Sequence, residues 1–106
     1  MKTIECDLLK VSISVFKSLK SYKKACKRLG FKSEIEDLEN QSNGYGGVEW
    51  FDGIPYFFLI IKDVTDLGLI VHETSHLVDY LLEYKGISDG ETRAYFHEWL
   101  FRAIIK

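Results

Sequence analysis

Tyr56-Phe57-Phe58-Leu59-Ile60-Ile61 is an unbroken apolar run, rich in aromatic and β-branched residues. Six such residues are far too few to span a bilayer, and their composition predicts a central β-strand buried on both faces. Working outward, Tyr45 to Phe51 reads as a second strand, joined to the first across Asp52-Gly53-Ile54-Pro55, a hairpin signal. Gly46 and Gly47 weaken that strand and mark it as an edge or a bulge, where another backbone can approach. On the other side, Asp63 or Thr65 is placed to cap a helix of roughly Asp66 to Tyr84, which Gly86 closes. Ser88-Asp89-Gly90-Glu91 then opens a last helix running toward Ile105, with Ala94, Trp99, Leu100, Ala103 and Ile104 on its apolar side.

Upstream, Val11-Ser12-Ile13-Ser14-Val15 alternates apolar and polar residues, the pattern of a half-buried strand. Ser18 is a plausible N-cap for a helix of Leu19 to Leu29 that Gly30 ends. In that helix Leu19, Tyr22, Cys26 and Leu29 recur at helical spacing, and lysines take the outer face. Ser33 to Glu39 is acidic, suited to a helical turn or a short strand, and Asn40 to Gly44 has loop composition. The predicted order is β-α-β-β-α-α: an α+β fold with a small antiparallel or mixed sheet, built as one domain over residues 1–106.

With 46% hydrophobic and 14% aromatic residues the chain can bury a core, which argues against disorder. The two cysteines, Cys6 and Cys26, have no metal-ligand spacing and suggest a reducing, cytoplasmic setting. Glu5 and Asp7 interrupt the stretch where a signal peptide would be apolar, so a soluble protein without membrane contact is expected. Charge is uneven. Residues 1–32 hold nine Lys/Arg against two acids, and residues 33–106 hold five against fourteen. The basic set, concentrated between Lys17 and Lys32, is simplest as a solvated helix face; its alternative use is contact with nucleic acid or an acidic partner.

Inside the predicted motif helix stands His72-Glu73-Thr74-Ser75-His76, a His-Glu-x-x-His pattern. Histidines four apart lie about 40° from each other around a helix, so both imidazoles project from one face. Neutral imidazole is a common zinc ligand, and such a pair can supply two positions of a tetrahedral Zn2+ site. Glu73 lies close enough to act as the base for a metal-activated water. The metal-free alternative is a hydrogen-bonded pair of histidines at a helix–sheet boundary.

A catalytic zinc also needs a third protein ligand. The HExxHxxGxxH continuation is excluded, because Asp79 and Leu82 stand at its glycine and last histidine positions. His97, on the final helix, is one candidate. Glu91 is the stronger, because its helix must fold back beside the motif helix. Glu91 has a competing role: Ser88-x-x-Glu91 matches a capping box, unless Asp89 serves as N-cap and leaves the glutamate free.

His72-Glu73-Thr74-Ser75-His76 followed, fourteen residues on, by Glu91-Thr92-Arg93-Ala94-Tyr95 resembles the gluzincin branch of zinc metallopeptidases. It is most similar to the very small zincin-like proteins common in bacteriophage and mobile-element genomes. The resemblance covers about residues 45–105 and implies a minimal zincin-like fold in a host cytoplasm. It implies His72, His76 and Glu91 as zinc ligands and Glu73 as the general base of peptide hydrolysis. It also makes Tyr45–Phe51 the edge strand along which a peptide substrate lies.

There are departures from the family pattern. Tyr95 stands where larger gluzincins carry an aspartate that orients a histidine, so Asp79 or a backbone carbonyl would have to serve. Tyr80, Tyr84, Tyr95 and His97 are the candidate donors to a transition-state oxyanion. The substrate-binding subdomain of full-size peptidases is missing, which favours a narrow or weak activity. The alternative is a non-catalytic zinc protein that grips a host protein or nucleic acid.

Overall fold

The computed structural model describes residues 2–36 and 44–106. Its elements are β1 (Lys2–Cys6), β2 (Val11–Phe16), α1 (Leu19–Arg28), β3 (Gly44–Phe51), β4 (Ile54–Ile61), α2 (Leu67–Lys85) and α3 (Gly90–Ile105). The four strands form one mixed sheet in the order β1-β2-β4-β3. β1 and β2 are antiparallel, β2 and β4 parallel, and β3 and β4 an antiparallel hairpin. The α+β class therefore holds.

Strand β4 is central, and Phe57 to Ile61 are all buried. Its alternate residues feed two cores. Phe57, Leu59 and Ile61 join Ile13 beneath α2 and α3, against Ile70, Leu77, Leu81 and Leu100. Phe58 and Ile60 join Phe16 beneath α1, against Tyr22, Ala25 and Cys26. Pro55 is tolerated inside β4 because pairing with β2 begins only at Phe57, so its missing N–H breaks no ladder on that side. Asp52 and Gly53 both have positive φ, 52° and 79°, and make the two-residue turn that suits a right-twisted hairpin.

Three parts of the sequence reading change. A strand at Lys2–Cys6 was not expected; only Ile4 and Cys6 face inward, too few for the alternation to register. Asp66, rather than Asp63 or Thr65, caps α2 by accepting from the Leu69 N–H, while Asp63 takes the Thr65 N–H and hydroxyl in the preceding turn. Gly44, assigned by composition to the loop, opens β3. In the acidic stretch 33–39, residues 33–36 are irregular; the remainder, with most of the predicted loop, lies outside the described residues.

Beneath α1, one carboxylate organises the polar contacts. Glu49 on β3 accepts from the Tyr22 hydroxyl, from Ser33 Oγ at 2.7 Å and from the Glu34 N–H at 2.9 Å. Burial pushes the Tyr22 phenol far above its usual range, and Glu49 adds to the effect, so Tyr22 stays a donor. Glu49→Gln turns an amide N–H toward one of these donors and should cost about 1–3 kcal/mol in urea denaturation. An unchanged midpoint would show that the three bonds contribute nothing net.

Candidate metal centre

Helix α2 crosses the sheet over β3, and glycine permits the crossing. A Cβ on Gly46 would lie 2.2 Å from the Glu73 carbonyl oxygen, and one on Gly44 would lie 3.0 Å from Glu73 Cγ. Of the two glycines expected to admit a backbone, a Cβ on Gly47 would meet the Tyr45 ring, whereas Gly46 admits the motif helix itself. The contact seats Glu73 on β3 and leaves the helix face bearing His72 and His76 exposed.

Among the described residues, the His/Cys/Asp/Glu group whose ligand atoms all lie within 4.8 Å of one another is His72, Glu73 and His76. The two Nε2 atoms are 3.2 Å apart with the rings nearly perpendicular, at 85°. Two nitrogens bound to one tetrahedral zinc, each about 2.0–2.1 Å from it, lie roughly 3.3–3.4 Å apart. The imidazole pair therefore fits the ion. The same separation also suits a hydrogen bond, so the fit needs the third member of the group.

That member is Glu73. Its side chain is 8% exposed, against 69% for His72, and Oε1 lies 3.9 Å from His72 Nε2. No hydrogen bond between described residues ends on its carboxylate, and because no buried side-chain oxygen among them lacks a partner, its oxygens reach solvent beside the histidines. Burial raises its pKa and the two histidines lower it, with burial the larger influence. A cation here would meet two imidazoles and a carboxylate within 4.8 Å of one another, donor types that zinc takes.

Glu91 is not in the group. Asp89 is the N-cap of α3, accepting from the Glu91 and Thr92 N–H groups, so the Ser88 capping box does not form and the Glu91 side chain is exposed. Helical phase explains its position. Arg93 and His97 are the α3 residues that bond to α2, and Glu91 lies about 160° round the helix from Arg93. It projects from the far side of α3, as does Tyr95, which is 73% exposed.

His97 does not reach the pair either. Its Nε2 lies 2.8 Å from Thr74 Oγ1, about 160° round α2 from His72. Thr74 donates its single hydroxyl hydrogen to the Ile70 carbonyl at 2.7 Å, so His97 Nε2–H is the donor in the arrangement that satisfies both. Among the candidate oxyanion donors, Tyr84 packs against Trp50 and Phe57. Tyr80, one turn beyond His76 and exposed, is the one left on the histidine side of α2.

The sequence reading missed Arg93. Its Nε donates to Asp79 at 2.6 Å and its Nη2 to Ser75 Oγ at 2.7 Å, clamping α3 to the flank of α2 beside His76. Asp79, a candidate partner for a histidine N–H, is thereby engaged through Oδ1. Arg93 holds the Asp79 carboxyl below its usual range, so the contact stabilises above the ordinary aspartate pKa and weakens as pH falls through the depressed one. The only sequence signal for this clamp was an acid and a base on consecutive helices.

Comparison of the chain with protein-family models, curated proteins and solved structures finds no match.

Proposed function

We propose that this protein is a zinc-dependent hydrolase of peptide bonds, with Glu73 as general base and with His72 and His76 as the two protein ligands, where a catalytic zinc ordinarily has three; water would complete the coordination. The observation that carries the reading is the convergence of two exposed Nε2 atoms, 3.2 Å apart, beside a buried carboxylate 3.9 Å from one of them. The motif's likeness to gluzincins supports it. Zinc in such a site supplies Lewis-acid polarisation of a carbonyl and lowers the pKa of a water to about 7.

The chain's own part is proton handling and placement. Glu73 accepts a proton from the attacking water at a carboxylate oxygen as the water oxygen bonds to the carbonyl carbon. It returns the proton to the nitrogen as the C–N bond breaks. Gly44 and Gly46 let α2 lie close enough to β3 to hold that carboxylate over an edge strand. An extended peptide pairing with β3 would run past it. Tyr80 is the donor placed to meet a developing oxyanion. Glu91 takes no part in this arrangement. Glu91→Gln should leave zinc content unchanged by metal analysis; loss of zinc would restore Glu91 as a ligand.

A second reading rests on Glu73 belonging to the same 4.8 Å group as the histidines. With Glu73 as a ligand the site has no base, and the protein is a non-catalytic zinc-binding factor. Screening a peptide library for cleavage, with and without a chelator, tests the hydrolase reading. Zinc-dependent cleavage is expected; none at any zinc concentration would overturn it. We propose a cytoplasmic setting, which two free, buried cysteines suit.

A further inference from the structure

Helix α1 covers the sheet face opposite α2 and α3, and its outer surface is cationic. Lys17, Lys20, Lys24, Lys27, Arg28 and Lys32 are all exposed. None of residues 8–33 is acidic. The Lys/Arg–carboxylate ion pairs among the described residues are Arg93–Asp79 and Arg102–Glu98, and neither involves this helix. Lys24, Lys27 and Arg28 border a shallow notch.

Helix stability accounts for only part of this set. Lys27 and Arg28 occupy the last turn, where the helix dipole favours cations. Lys17 and Lys20 flank the N-terminus, where the dipole opposes them, and the first turn carries no acid. Cations placed against the helix dipole, without an ion-pair partner among the described residues, suit a polyanion.

We propose that this face binds the phosphate backbone of duplex DNA without sequence specificity. From Lys20 to Arg28 the helix rises about 12 Å, the length of roughly three to four base pairs. The apolar side of α1 (Tyr22, Ala25, Cys26) is buried against the sheet, so insertion into a lipid surface has no apolar face to use. The aromatic rings near it, Tyr22, Phe31 and Phe51, are engaged in packing, which disfavours the base stacking typical of single-strand binders. Lysines with one arginine, without an Asn/Gln reading set, contact phosphates rather than bases. The site stands apart from the metal centre and does not depend on it.

Fluorescence anisotropy of a labelled 20-base-pair duplex with the full chain tests this. Contact with three to four phosphates predicts a log–log salt slope of about −3, so binding should weaken roughly sixty-fold from 50 to 200 mM salt. The Lys20→Gln/Lys24→Gln/Lys27→Gln/Arg28→Gln variant should bind at least about thirty-fold more weakly at 50 mM, with a slope near zero. A control carrying Lys62→Gln, Lys85→Gln, Arg102→Gln and Lys106→Gln should change by less than about five-fold. If circular dichroism shows lost helix in the quadruple variant, the pairs Lys20→Gln/Lys24→Gln and Lys27→Gln/Arg28→Gln carry the comparison. No binding at low salt, a salt-independent affinity, or equal losses in both variants would overturn the proposal. So would retention on phosphatidylserine vesicles, or by an acidic protein, without DNA binding.

Discussion

Glu73→Gln is expected to lower the turnover of a cleaved peptide by about 10²–10⁴-fold while leaving zinc bound. The amide keeps the size and seating of the side chain over Gly44 and Gly46 but cannot take a proton at neutral pH. The two readings of the centre part at this residue. If Glu73 is the base, zinc content stays the same and activity falls. If it is the third ligand, zinc content falls with it. Because the side chain lacks a hydrogen-bond donor from any described residue, replacing its charge removes no protein–protein bond, and the fold should melt at an unchanged or slightly higher temperature. Undiminished turnover would remove Glu73 from the chemistry.

Gly46→Ala should be the most damaging one-methyl substitution in the chain. Its Cβ would lie 2.2 Å from the Glu73 carbonyl oxygen, a backbone atom that moves only if α2 lifts from the sheet. Overpacking of this kind costs about 3 kcal/mol, or a melting temperature lower by roughly 12–24 °C in a domain of this size. The lifted helix carries His72, Glu73 and His76, so zinc affinity should drop as well. Two other glycines calibrate the effect. Gly47→Ala meets the ring of Tyr45, which can turn aside, and Gly53→Ala meets no atom but holds φ 79°, costing about 1 kcal/mol. Comparable melting temperatures for all three variants would mean that the β3–α2 contact does not set the position of the metal helix.

The glycines show why part of the site was legible and part was not. Gly46 and Gly47 announced a close backbone approach along the strand, but the pattern names no partner. A substrate strand and the motif helix make the same demand on local sequence. The hairpin, the central strand and the long helices were readable because apolar runs, a turn pair and Gly86 act locally. His72, Glu73 and His76 were readable for the same reason, since four residues along one helix fix their geometry.

Glu91 depended on a second helix, and there sequence alone set neither phase nor tilt. Both Ser88 and Asp89 were adequate caps. Asp89 won, and Arg93 and His97 took the face toward α2, turning Glu91 outward. β1 escaped for a related reason. Its pairing with β2 fixes it, and five residues with two buried positions carry little periodic signal of their own.

The central claim is that zinc sits between His72 and His76. A crystal structure of the zinc-loaded protein, with anomalous data collected on both sides of the zinc absorption edge, tests it most directly. The account predicts one ion per chain, coordinated by Nε2 of both histidines, with the Glu73 carboxylate beside it and Glu91 still on the outer face of α3. A histidine pair joined by a hydrogen bond with no anomalous peak between the rings, under saturating zinc, would contradict it.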